Sequence, residues 1–264
     1  MQSETNHFEH TADTTLEDIV AEALRLVRVA QEQKLTLRLL GGTAIRLHSP
    51  HAASQGALAR TYADIDFAAP KNQSRPLRDL FSGAGYTGDR RFNALHGERR
   101  LLFFDTIRAR QVDVFLGMFE MCHKLMLEDR LQLHPQTLSP ADLLLTKLQI
   151  VELNAKDTQD ILALLLDVPP LEPGSNPAER IDLERIVDVC SHDWGWYTTV
   201  QDNLQHIGAS AQQLLPAVEA DLVRRRLEEI AATLDQAPKS AAWRLRAVVG
   251  RRMAWYELPE EVRR

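Results

Sequence analysis

The chain has little cysteine, no excess of basic charge and no long apolar run, and each shortage closes off a class of function. Of its 264 residues only Cys122 and Cys190 are cysteines, far apart and without metal-ligand spacing. A disulfide-built or zinc-held scaffold is excluded, and the pair reads as reduced core residues of a cytosolic protein. The formal net charge of −6 argues against a broad basic face for duplex DNA. It leaves room for a local basic pocket that takes an RNA end or a triphosphate. No apolar stretch reaches the length needed to cross a bilayer. The N-terminus, with Glu4, Glu9 and Asp13, has neither the positive flank nor the apolar core of a signal peptide. The expected location is the cytoplasm, with no membrane partner.

What is present is an ordinary globular composition, 44% hydrophobic and 26% charged, in a chain long enough for one large domain or two modest ones. Apolar residues recur at helical spacing from Leu16 to Gln33, with Thr15 as the expected N-terminal cap. Leu35 to Leu40 reads as a strand stopped by Gly41-Gly42, and Ala44 to His48 as a short helix. Residues 49–60 form a long loop punctuated by Pro50 and Gly56; Ile65 to Ala69 is a second strand. Ser74 and Pro76 open a helix that ends at Gly83-Ala84-Gly85, and Arg100 to Asp105 and Gln111 to Leu116 are two more strands. Ser139-Pro140-Ala141-Asp142 starts a helix running to Leu153, which resumes from Lys156 to Leu166. Residues 180–264 read as helical, with breaks near Gly195, Gly208, Pro216 and Pro238. The expected division is a mixed α/β (α+β) unit over 14–135 and a helical domain over 136–264, with a linker at about 168–179.

Four stretches could carry chemistry. A strand that ends in Gly41-Gly42 and turns into a helix offers backbone N–H groups and a positive helix end to an anion, with Thr43 adding a hydroxyl. Asp64 and Asp66, two apart on a strand, leave the same face. Such a pair repels itself unless a cation sits between them, and hard oxygen ligands suit Mg²⁺. Asp113 interrupts the apolar run Val112-Asp113-Val114, where a charge must be paired, exposed or metal-bound. Lys147 sits among leucines on the Ser139 helix, and Asp157 and Asp160 share a face of the next helix. A tight turn, solvated acids and an ordinary salt bridge are the alternatives for each taken alone. His7-x-x-His10 and His48-x-x-His51 lack a third donor, so no zinc is assigned. Trp194-Gly195-Trp196-Tyr197 reads as packing between helices, and the arginines at 224–226, 244, 246, 251 and 252 as solvated helix faces.

The order Gly41-Gly42-Thr43, Arg60-Thr61-x-x-Asp64-Ile65-Asp66, Val112-Asp113-Val114, Lys147, Lys156-Asp157-x-x-Asp160 resembles the nucleotidyltransferase superfamily. Within it the chain is similar to the abortive-infection toxin branch of type IV toxin–antitoxin systems. The resemblance covers residues 35–167. It implies a polymerase-beta-like core with a short mixed sheet, followed by a helical domain. It also implies that Gly41, Gly42 and Thr43 hold an NTP, that Asp64 and Asp66 bind Mg²⁺ (or Mn²⁺), and that Asp113 is the third metal and catalytic carboxylate. Lys147 would contact phosphate, with Asp157 or Asp160 completing the late motif. Implied partners are the NTP, an acceptor RNA end or protein, and a cognate antitoxin. Two departures stand out: threonine at 43 where the family usually has serine, and a longer spacing from Gly42 to Asp64. The 49–60 loop is accordingly a lid, an acceptor contact or an insertion. A non-catalytic nucleotide- or partner-binding relative, and a transferase acting on an antibiotic-like small molecule, use the same core.

Overall fold

The computed structural model describes residues 15–258. In chain order these form α1 (Ile19–Glu32), β1 (Arg38–Leu40), α2 (Gly41–His48), β2 (Asp64–Ala69), α3 (Ser74–Gly83), β3 (Thr87–Gly88), α4 (Arg90–His96), β4 (Arg100–Asp105) and β5 (Arg110–Leu116). The hairpin β6 (Met118–Glu120) and β7 (Lys124–Met126) follows. The remainder is helical: α5 (Pro140–Leu148), α6 (Ala155–Asp167), α7 (Leu183–His192), α8 (Trp194–Leu214), α9 (Ala217–Gln236) and α10 (Ala241–Val249). The architecture is mixed α/β, with a small mixed sheet in the order β1-β2-β5-β4-β3. Its central pair β2/β5 is parallel; the other pairs are antiparallel.

Strand alternation divides the sheet into two chemically distinct faces. Register partners share a face, so Ile65, Phe67 and Ala69 stand beside Val112, Val114 and Leu116, with Leu101 and Phe103 next to them. This apolar face is covered by α1 and α3. Phe81 of α3 stacks on Phe103 with ring centroids 4.4 Å apart and meets Phe67 at 6.1 Å. The opposite face carries Asp64, Asp66, Gln111, Asp113 and Arg100.

Several boundaries differ from the sequence expectation. Asp18, not Thr15, caps α1, its Oδ1 accepting from the Ala21 N–H at 2.7 Å; the Thr15 hydroxyl donates to Asp105 instead. The first strand is only Arg38–Leu40, because the Leu35 N–H is taken by the Ala30 carbonyl to finish α1. The second helix begins at Gly41 itself. The helix from Ser139 stops at Leu148, where Asn203 of α8 donates to the carbonyls of Leu148 and Ile150. No break occurs at Gly208: α8 runs through it, and a Cβ there would meet Leu227 of α9 only at ordinary contact distance. Gly250, at φ 59°, ends α10, and residues 253–258 are not helical. Helix α4 and the β6–β7 hairpin are additions; both are too short to show a period.

Cys122 and Cys190 are free and buried, as expected. Trp196 is 3% exposed and packs against the His123 ring, in line with a packing role. Arg224 pairs with Asp221 and Glu228 at the surface, but Arg226 is no solvated arginine. It donates to the carbonyls of Leu165, Leu166 and Val168 at the end of α6. His48 bonds to Thr137, while His7 and His10 lie outside the described residues. No described helix is long and apolar enough to cross a membrane.

Candidate active site

The polar sheet face and the β1–α2 turn meet at Asp66. Gly41 leaves β1 with φ 70°, a left-handed conformation that side chains disfavour. A Cβ there would run into the Asp66 carboxylate. Leu40 and Asp66 are register partners across β1 and β2, and Asp66 and Asp113 across β2 and β5. The turn and two of the acids therefore occupy one spot, as the strand order requires. Asp64 lies one pleat further along the same face and is exposed. Gly41→Ala is expected to cost about 1–3 kcal/mol through its backbone conformation and the collision together, readable as a shifted denaturant midpoint with unchanged slope.

The electrostatics follow from that crowding. Burial, and after it the charges of Asp113 and Asp64, push the Asp66 carboxyl up to about 8, with Lys147 and Arg100 pulling the other way. Asp113 is buried and already partnered. Arg100 Nε donates to its Oδ1 at 2.7 Å, and Gln111 Nε2 donates to its Oδ2 at 2.6 Å. Among the described residues no three His, Cys, Asp or Glu side chains form a group that could hold a metal ion. The implied three-carboxylate set is thus not assembled, because Asp113 turns both oxygens to Arg100 and Gln111. Asp64 and Asp66 remain as a pair of carboxylates on the polar face of β2. Mg²⁺ commonly takes one or two carboxylates and completes its shell with water and substrate phosphates.

The late motif is beside this spot. Lys147 Nζ lies 2.8 Å from Asp157 Oδ1 and 2.9 Å from Asp160 Oδ2. Burial works against its charge, but Asp160 and Asp157 outweigh burial and hold its pKa above the ordinary lysine value. Asp160 also accepts from Arg60 Nε and Nη2, both at 2.9 Å. Gly42, Asp64, Asp66, Asp113, Lys147, Asp157 and Asp160 are thereby linked in space through Gly41 and Arg60. Thr43 is 2% exposed, so its hydroxyl is less open to a ligand than the sequence implied.

The segment 49–60 is folded onto α6, with two short 3-10 turns at Ala52–Ser54 and Gly56–Leu58. The Asp167 carboxylate accepts from the His51 and Ala52 N–H groups, and Gln159 donates to the Ala57 carbonyl. Sequence reasoning gave no role to Arg60, Tyr62, Arg100 or Gln111. Gln111 was within reach, since it stands two before Asp113 on one strand face. Arg100 was not, because its approach depends on the register of an antiparallel partner.

No protein-family model matches the chain, and no curated protein matches it. Among solved structures it is similar to the solution structure of the antibiotic-resistance factor ANT(2'')-Ia, which is described as revealing substrate-regulated conformation dynamics. The two are 13% identical; the match covers 82% of this chain and 94% of the other, with a TM-score of 0.33. A score that low does not establish a shared fold, so what the site can do rests on its own residues.

Proposed function

We propose that the chain is a nucleotidyltransferase that moves a nucleoside monophosphate from an NTP to an acceptor hydroxyl. One observation carries the reading: the Asp66 carboxylate lies against the left-handed Gly41 turn and beside Asp113, so an acidic pair and a backbone anion site face each other. Asp64 and Asp66 would hold Mg²⁺ or Mn²⁺, which when bound would neutralise phosphate charge as it builds in the transfer. The backbone N–H groups at Gly41 and Gly42 would orient the phosphates, and Lys147 would add a fixed positive charge. Asp113 keeps Arg100 beside Asp66; serving as proton acceptor or metal ligand would require it to release Arg100 or Gln111.

The order of the sequence motifs favours the toxin-type branch, with an RNA end or a protein supplying the hydroxyl and a cognate antitoxin as a further partner. The test is incubation with α-phosphate-labelled NTPs, Mg²⁺ and three kinds of acceptor: RNA, protein and small polyhydroxy compounds. Label should pass to RNA or protein. Label found only on small molecules would overturn the toxin-type assignment. Saturable NTP binding with no consumption would leave a binding protein in place of an enzyme.

A further inference from the structure

Helix α10 is built inside out. Ala241, Leu245 and Val248 recur at i, i+4 and i+7 and form one stripe, while Trp243, Arg246 and Ala247 occupy the opposite side. A surface helix ordinarily turns its apolar stripe inward. Here Leu245 is 73% and Val248 81% exposed, and no residue of α10 is fully buried. Trp243 and Arg246 face the protein instead. Trp243 meets Tyr197 of α8 with ring centroids 5.2 Å apart, and the Arg246 guanidinium lies 4.7 Å from the Trp194 centroid. Arg246 also donates to the carbonyls of Gly250, Met253 and Ala254 at 2.6, 2.9 and 3.2 Å. Single exposed apolar side chains are ordinary, but a stripe of them outward with a cation turned in is the pattern of a helix covered by something further.

Charge says what kind of cover fits. Between Ala237 and Tyr256 the chain has Lys239, Arg244, Arg246, Arg251 and Arg252 and no Asp or Glu, although its net charge is −6. Arg244, Arg251 and Arg252 are exposed. Arg251 pairs with Asp202 of α8, whereas Arg244 Nε donates to a backbone carbonyl, that of Lys239, which leaves its charge uncompensated there. A second copy laid symmetrically on this face would bring two sets of arginines together. An anionic membrane would repel the acidic excess that the rest of the chain carries. An acidic protein segment meets the apolar stripe and the arginines at once.

We infer that the outer face of α10 docks a partner protein through an amphipathic segment. Its apolar residues cover Leu245 and Val248, and its Asp or Glu side chains meet Arg244 and Arg252. The inference does not draw on the proposed function.

The experiment is titration of the whole chain into a fluorescein-labelled helical peptide of about 18 residues, leucines along one face and glutamates beside them, read by anisotropy. Wild type should bind it, more weakly as salt is raised. The same peptide with lysine in place of glutamate should bind about tenfold less tightly. Leu245→Ser with Val248→Ser should lose about tenfold or more. Arg244→Glu with Arg252→Glu should reverse the preference, taking the lysine peptide over the glutamate one. All four positions are exposed, so both double variants should melt close to wild type. No binding of the glutamate peptide, equal binding of the two peptides, or a serine variant that binds like wild type would each overturn the inference. A serine variant melting far below wild type would do the same, since the stripe would then be packed within the chain. Self-association in sedimentation, or retention on phosphatidylserine vesicles, that the serine variant loses would give the face to a second copy or to a membrane and likewise overturn it.

Discussion

Replacing Asp64 and Asp66 together by asparagine should abolish nucleotidyl transfer, lowering its rate by about a thousandfold or more, while leaving the fold intact. The rate loss corresponds to the several kcal/mol of charge stabilisation that a divalent ion supplies to a transferring phosphoryl group. Both side chains stand on the polar face of β2, Asp64 exposed and Asp66 partly so; the apolar face that packs on α1 and α3 is untouched. Stability should move the other way. Burial and the neighbouring Asp113 and Asp64 charges push the Asp66 carboxyl from an ordinary 3.8 up to about 8. The folded chain therefore holds a proton at Asp66 that the unfolded chain gives up, and this group's contribution to stability is lost as pH rises from about 4 to about 8. Buried His48 and His123, lowered to about 4, contribute in the opposite sense up to about pH 6.5. The double variant should lack the Asp66 contribution and melt above wild type at pH 8, by roughly 2–4 °C for each kcal/mol recovered. Excess Mg²⁺ should raise the wild-type melting temperature at pH 8 and leave the variant unchanged. Transfer by the variant at the wild-type rate would remove the two aspartates from the chemistry. The same pH dependence of stability in wild type and double variant would show that Asp66 is not held protonated by its burial and its neighbours.

Asp142→Ala should be the most destabilising single substitution for the helical region, at about 3–5 kcal/mol and a melting-temperature drop of roughly 10 °C. Asp142 is fully buried and serves three groups at once. Arg130 Nε donates to its Oδ2 at 2.9 Å, Arg185 Nε to its Oδ1 at 2.9 Å, and the Ser139 hydroxyl to Oδ2 at 2.7 Å. Removing the carboxylate strands two partly buried guanidinium groups and loosens the N-terminal cap of α5, the helix that carries Lys147. Asp142→Asn, which keeps one acceptor, should lose less. Urea or thermal unfolding of the three proteins measures both, and an alanine variant within 1 kcal/mol of wild type, well short of the loss usual for a broken buried ion pair, would contradict the argument.

Elements with strong local signals were legible before any coordinates. Ser139-Pro140 fixed the start of α5, since a hydroxyl cap and a proline at the first position act within one turn. The pleat alone put Asp64 and Asp66 on a common face, and strand periodicity placed β2, β4 and β5 within a residue or two. Signals that depend on a distant partner were not legible. Helix α8 continues through Gly208 while packed on α9, and α5 stops where Asn203, fifty-odd residues away, takes the carbonyls of Leu148 and Ile150. The 49–60 segment offered a choice of three roles in sequence, and only its bonds to Asp167, Gln159 and Asp160 reveal an anchored element.

The sequence by itself determined which residue types are available and which face of its own element each occupies, because backbone periodicity is local. It could therefore supply an acidic pair, a glycine turn and a lysine with two aspartates. Only the tertiary structure decided which of these meet. The parallel register of β2 and β5 sets Asp66 beside Asp113, and the left-handed Gly41 brings the turn against Asp66. Arg100 claims Asp113, and Asp160 gathers Arg60 with Lys147. Pairing energies between groups so far apart in the chain depend on strand order and burial, which no short window of residues contains.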